Sequence, residues 1–125
     1  MELHRSDIPG INSIRPNDGD GFWVKEQLYR QSIIVTAETV IENWVVNRFD
    51  DLSIEDFRRF ASFDPEILIL GTGHALRFPQ SMLLEPLTDR KCGYEILSSR
   101  SACNTFNILI AEGRQAVAAL LPCDA

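Results

Sequence analysis

One run of side chains limits this chain more than any other: Ile67-Leu68-Ile69-Leu70, four bulky apolar residues in succession, closed by Gly71-Thr72-Gly73. A strand with one wet face alternates apolar and polar residues, so an unbroken run ended by a glycine turn reads as an interior strand covered on both faces. Ala116-Val117-Ala118-Ala119-Leu120-Leu121 repeats the pattern and is stopped by Pro122. Two such strands need a layer above and a layer below, which calls for helices.

The helices are legible between them. Ser53 is placed to cap a helix whose apolar residues Ile54, Phe57, Phe60 and Ala61 share one face, with Leu52 and Phe57 at staple positions and Asp64-Pro65 as the stop. Residues 81–91 read as a second helix whose regular part begins at Pro86 and whose C′ residue is Gly93. Tyr94-Glu95-Ile96-Leu97 then reads as a strand. A third helix over 101–112 carries Ala102, Phe106, Leu109 and Ile110 on its apolar stripe, with Cys103 at the stripe's edge, Ile108 pointing outward and Gly113 at its end.

The N-terminal half has a different texture. Ile11-Asn12-Ser13-Ile14, the turn Pro16-Asn17-Asp18-Gly19-Asp20-Gly21 and Phe22-Trp23-Val24 predict a hairpin, and the β-rich stretches 28–35 and 40–46 predict two more strands. The predicted fold class is therefore α/β: a three-layer domain on a mixed, partly parallel central sheet, with an N-terminal β-meander of three to five strands followed by β-α-β-α-β. At 125 residues the chain suits one domain over 1–125, with an ordered core over about 11–122.

Charge and cysteine usage exclude several functions. A net charge of −6 opposes nucleic acid, whose binding rests on neutralised phosphates. No apolar stretch approaches the roughly 20 residues of a membrane span, and the first residues lack a secretory apolar core, so a cytoplasmic protein with no direct membrane insertion is expected. Cys92, Cys103 and Cys123 are odd in number and form no Cys-x-x-Cys, while His4 and His74 lie far apart. Neither a disulfide framework nor a metal site is expected, and no cofactor motif is complete.

The best candidate site is the loop itself. Gly71, Thr72 and Gly73 end a buried strand, where backbone N–H groups can hold an anion, although a tight turn explains the same tripeptide. Leu76 stands where a dinucleotide fingerprint needs glycine, and no Gly-Lys-Ser/Thr follows. Arg77 can clamp a carboxylate or phosphate or tie down the loop, and His74 can serve as acid or base or as a plain surface residue. Cys103 in the first turn of its helix could be an activated thiol or a packing residue. Glu112 is placed to pair with Arg114 or with an arginine elsewhere, and Trp23 and Trp44 read as core anchors or contact residues.

Taken together, residues 67–73 running into Arg77-Phe78-Pro79, then Gly93-Tyr94-Glu95, Ala102-Cys103-Asn104-Thr105-Phe106-Asn107 and Ala111-Glu112-Gly113-Arg114, resemble a known family. It is the family of small α/β domains of unknown function that includes the mitochondrial respiratory complex I assembly factor 3. The resemblance spans about residues 11–122 and implies a three-layer fold on a mixed sheet. It carries no catalytic residues. The shared motif falls on Gly71, Thr72, Gly73, Arg77, Phe78, Pro79, Thr105, Asn107, Glu112, Gly113 and Arg114. Where relatives commonly have Arg-Thr-Tyr-Asn, this chain has Asn104-Thr105-Phe106-Asn107, which removes a cation and a hydroxyl from that helix. The lack of a transit-type leader departs from the mitochondrial member and implies a bacterial, cytoplasmic protein.

Two functions follow. The resemblance implies a non-enzymatic accessory protein acting on a protein partner, either a membrane-complex subunit or a second copy. The alternative is a small-molecule (anion) binder or enzyme using the Gly71–Gly73/Arg77 loop, which would need a concave site beside Arg77.

Overall fold

The computed structural model describes residues 10–123, so His4 lies outside the described residues. Strands β1 (Ile14–Pro16), β2 (Phe22–Val24) and β3 (Gln27–Tyr29) form an antiparallel meander. In the predicted hairpin turn, Asn17 Nδ2 donates to the Asp20 carbonyl at 2.7 Å. Gly21, at φ 86°, passes so close to β3 that a Cβ would lie 2.6 Å from the Tyr29 carbonyl oxygen.

The remaining elements build the main body. They are β4 (Ile33–Val35), β5 (Val40–Ile41), α1 (Ile54–Ser62), β6 (Ile67–Gly71), α2 (Glu85–Asp89), β7 (Gly93–Leu97), α3 (Ser99–Ala111) and β8 (Ala116–Leu120). The five strands make a mixed sheet of order β5-β4-β8-β6-β7, in which β6 is parallel to both β8 and β7 while β4 is antiparallel to β8 and β5.

Alternation along the strands divides the core in two. Ile33, Val35, Ile69, Ala118 and Leu120 face α3 and the meander, meeting Phe106, Ile110, Phe22 and Val24. Ile34, Leu68, Leu70, Val117 and Ala119 face the other side, meeting Phe57, Phe60 and Leu87. The predicted three-layer α/β architecture is what the chain adopts, and the unbroken apolar runs are explained by burial on both sides of one sheet.

Local chemistry sets the helix ends. The Ser53 amide donates to Asp56 Oδ2 at 2.8 Å, and α1 ends where Asp64, at φ 53°, turns out ahead of Pro65. At the end of α3, the Gly113 amide bonds the Ile110 carbonyl and the Arg114 amide that of Leu109, with Gly113 at φ 81°. That is a Schellman closure with glycine at C′, where the sequence placed it.

Four expectations are corrected. The meander does not run through the N-terminal half: residues 28–35 break into β3 and β4, which belong to different sheets. Buried Ser32 turns the chain there, its amide donating to Asn47 Oδ1 at 3.0 Å and its hydroxyl to the Val46 carbonyl. The strand expected over 40–46 stops at Ile41, because Trp44 turns into the core, packs edge-on against Phe60 and donates Nε1–H to Asp56 Oδ1 at 3.1 Å. Helix α3 starts at Ser99, two residues early, with Ser98 as its cap. The C′ residue of α2 is Lys91, at φ 57°, not Gly93. The Lys91 amide bonds Thr88 and the Cys92 amide bonds Leu87, while Gly93 opens β7. The closure falls two residues before the glycine because Leu87 and Cys92 must both be buried.

A lysine in left-handed backbone is strained by roughly 1–2 kcal/mol, of which glycine would give back part as lost chain entropy. Lys91→Gly is therefore expected to raise unfolding stability by about 0.5–1 kcal/mol in urea denaturation.

Candidate functional site

Gly71-Thr72-Gly73 leaves the carboxyl end of β6, but the helix that meets it is α3, not the one that follows in sequence. A Cβ on Gly71 would lie 2.9 Å from both Ser99 Cα and Ser99 Oγ, so only glycine admits the N-terminus of α3 this close. Ser99 uses the approach fully. Its amide donates to the Gly73 carbonyl at 2.8 Å, its Oγ accepts from the Gly73 amide at 2.8 Å, and its hydroxyl donates to the Leu121 carbonyl at 2.6 Å.

The rest of the loop is closed in the same way. The Thr72 amide bonds the Leu97 carbonyl, the His74 amide bonds the Cys123 carbonyl, and the Arg77 amide bonds Thr72 Oγ1, which itself donates to the Ala75 carbonyl at 2.7 Å. Gly73, at φ 99°, makes the turn possible. The amides of Thr72, Gly73 and His74 thus all bond within the chain, and what the loop offers outward is side chains.

Of these, Arg77 is held twice, by Asp50 Oδ1 at 2.7 Å and by stacking 4.3 Å from the centre of the Phe49 ring. A groove of about 390 Å³ opens beside it, lined by Phe49, Leu52, Phe78, Pro79 and Leu83. His74 is exposed, and Leu76, Phe78 and Met82 project into solvent from the same segment. Sequence reasoning found Gly71, Thr72, Gly73, His74 and Arg77 in one place but missed Ser99, Phe49 and Asp50. Ser98-Ser99 directly after a strand was the one available signal, as a helix cap.

The other motif residues lie elsewhere, and two of them, Asn107 and Arg114, hold other parts of the fold. Asn107 clasps β1, accepting from the Ile14 amide at 2.8 Å and donating to the Ile14 carbonyl at 2.7 Å. Arg114 pairs with Glu66 at 2.9 Å rather than with Glu112, and its hydrogen bond holds the Glu66 carboxyl below the usual range. Glu112 is exposed and Thr105 half-buried. Trp44 is a core anchor, whereas Trp23 is half-buried under Arg15.

Because α3 begins at Ser99, Cys103 lies in its second turn, past the strongest field of the helix end, and is buried. Burial pushes its thiol up to about 12, with the Cys123 sulfur adding to the rise and Arg100 opposing it. The activated-thiol reading gives way to packing. Among the described residues no three of His, Cys, Asp and Glu are grouped to hold a metal ion.

Two outcomes follow from this geometry. Asn107→Ala leaves both Ile14 backbone groups without partners and is expected to destabilise the chain by about 1–3 kcal/mol in urea unfolding. The folded Cys103 thiol stays protonated above the ordinary 9.0, so stability present below that pH is lost as pH rises toward about 12. Cys103→Ala is expected to flatten that alkaline decline when urea midpoints of the two proteins are compared across pH.

Over residues 14–121 the chain matches the family described as Protein of unknown function (DUF498/DUF598). It is 30% identical over 124 residues to NADH dehydrogenase (ubiquinone) 1 alpha subcomplex assembly factor 3 of Rattus norvegicus, a match over 98% of this chain and 66% of that protein. The chain thus spans just under two thirds of that relative's length. Among solved structures, a Bordetella parapertussis protein superposes with a TM-score of 0.83 at 30% identity, covering 90% of this chain and 97% of that one. A Bordetella pertussis protein described as a Mth938-like domain gives a TM-score of 0.82 at 26% identity, covering 98% and 93%. From its first strand to the residue after its last, this chain is a member of the DUF498/DUF598 family with the Mth938-like fold.

Proposed function

We propose that this chain is a cytoplasmic accessory protein that acts through protein–protein contacts, in the manner implied by its similarity to complex I assembly factors. The observation that carries the reading is one exposed apolar segment. Leu76, Phe78 and Met82 are 51%, 71% and 58% exposed within seven residues, just after a loop whose amides at Thr72, Gly73, His74 and Arg77 are bonded inward. Large apolar side chains held out by a pinned loop match a contact surface, where aromatic residues and methionine are enriched. The segment flanks the Phe49/Leu83 groove, whose lining mixes these apolar side chains with Asp50, Arg77 and Gln80. The partner proposed is a subunit of a membrane complex. Among the described residues no helix is long and apolar enough to cross a membrane, so the chain would meet such a subunit at its exposed part.

The second reading, an anion-binding protein or enzyme, is favoured by the groove beside Arg77. An anion there would have to draw the guanidinium away from Asp50. Three variants locate the contact and separate the readings. Phe78→Asp is expected to change stability by no more than about 0.5 kcal/mol. It should also abolish recovery of a partner that cross-linking to the wild-type chain identifies. Ile108→Asp probes the outward side of α3, where Ile108 is 51% exposed. Loss of partner in that variant and not in Phe78→Asp would move the contact to the helix. If no partner is recovered and phosphate or carboxylates raise the melting temperature of the wild type but not of Arg77→Ala, the anion reading replaces the first.

A further inference from the structure

The two sheets end in four edges, and they are not alike. β5 is two residues long, β3 is three, and β1 has its Ile14 amide and carbonyl taken by Asn107. β7 is five residues long, with no proline and no positive φ. Its inner side is fixed by the bonds from the Gly93 amide to Glu66 and from the Thr72 amide to Leu97. In a parallel ladder alternate residues bond alternate sides, so Gly93, Glu95 and Leu97 turn their backbone groups to β6 while Tyr94 and Ile96 turn theirs outward. Among the described residues nothing bonds these outward N–H and C=O groups. At the centre stands Glu95, exposed and without an ion-pair partner among the described residues, next to Tyr94 at 42% exposure.

We propose that the open edge of β7 takes an extended strand from a partner protein that carries a lysine or arginine opposite Glu95. An open edge with unpaired groups is a template for strand addition, in which backbone bonds supply affinity and side chains supply choice. Charge selects the occupant. A second copy pairing over the whole of β7 across a two-fold axis would have its centre at Glu95 and set two carboxylates directly opposite each other, which is destabilising. Shifting that pairing to Tyr94 or Ile96 leaves only three residues in register. A cation opposite Glu95 removes the repulsion, and the −6 charge of the chain draws basic segments toward it. This edge is separate from the loop of the proposed function, so either can fail without the other.

The probes are two blocked hexapeptides, one alternating valine with lysine and one alternating valine with glutamate, titrated into the whole chain while backbone amide resonances are followed. The lysine peptide is expected to shift the amides of Tyr94 and Ile96 saturably, and the glutamate peptide to bind roughly fivefold more weakly. Glu95→Lys should invert that order. Tyr94→Pro removes one outward N–H and leaves the β6 ladder intact, as proline is tolerated on the open side of an edge, and it should abolish binding. If Tyr94→Pro fails to fold, the inversion in Glu95→Lys decides alone. Phe78→Asp should leave peptide binding unchanged. The proposal is overturned if the peptides shift no β7 amide, if Glu95→Lys leaves their order as it was, or if Phe78→Asp removes binding. It is overturned as well if the chain sediments as a dimer that Tyr94→Pro dissolves.

Discussion

The approach of Ser99 to Gly71 is the contact on which the other parts of this structure rest. A buried hydroxyl that accepts from Gly73 and donates to Leu121 joins the ends of β6 and β8 to the first turn of α3. Such a hydroxyl is stable in the interior only because both of its functions are satisfied. The joint has no room for a Cβ at residue 71, and it fixes the height of α3 over the sheet. Asn107 lies eight residues further along α3, about 12 Å down the helix, where it holds β1 by the Ile14 amide and carbonyl. The Ser99 joint therefore helps to position the meander through a rigid helix, together with the packing of Phe22 and Val24 into the same core.

The same joint decides what chemistry the loop can offer. A glycine turn after a parallel strand is an anion cradle when its amides face solvent at the start of a helix. Here a helix start is present, but it belongs to α3, and its first side chain takes the Gly73 amide that an anion would need. Thr72 and His74 give their amides to Leu97 and Cys123. Arg77 remains as a side-chain donor, already paired with an exposed Asp50 and flattened on Phe49. An exposed ion pair of this kind contributes little to stability, so its geometry is better understood as holding Arg77 over Phe49 beside the groove.

Those parts of the fold that were legible in the sequence are the ones written in local pattern. The run 67–70 required burial on both faces, Ser53 and Asp56 marked a helix start, and Gly113 marked a helix end, because each depends on residues a few positions apart. What stayed illegible depends on distant partners. Ser99 acts through residues 73 and 121, Ser32 through 46 and 47, and Trp44 through Asp56 and Phe60. Lys91 is the instructive case. Local preference put the helix end at the glycine two residues on, and the burial of Leu87 and Cys92 overrode it.

Most of the residues on which the sequence resemblance rests are explained by the fold alone. Gly71 admits Ser99, Gly73 and Gly113 occupy positive φ, Thr72 bonds the loop, Asn107 clasps β1, Arg114 ties β8's approach to Glu66, and Pro79 is buried. Each of these would be needed whatever the protein did, and so the motif identifies the fold more readily than the activity. Phe78 is different. An aromatic ring 71% exposed contributes little to folding, and its neighbour Arg77 is held by an exposed pair that the fold does not require. Subtracting the structural residues leaves Thr105 and Glu112 on and after α3, and the adjacent Arg77 and Phe78, which both line one groove.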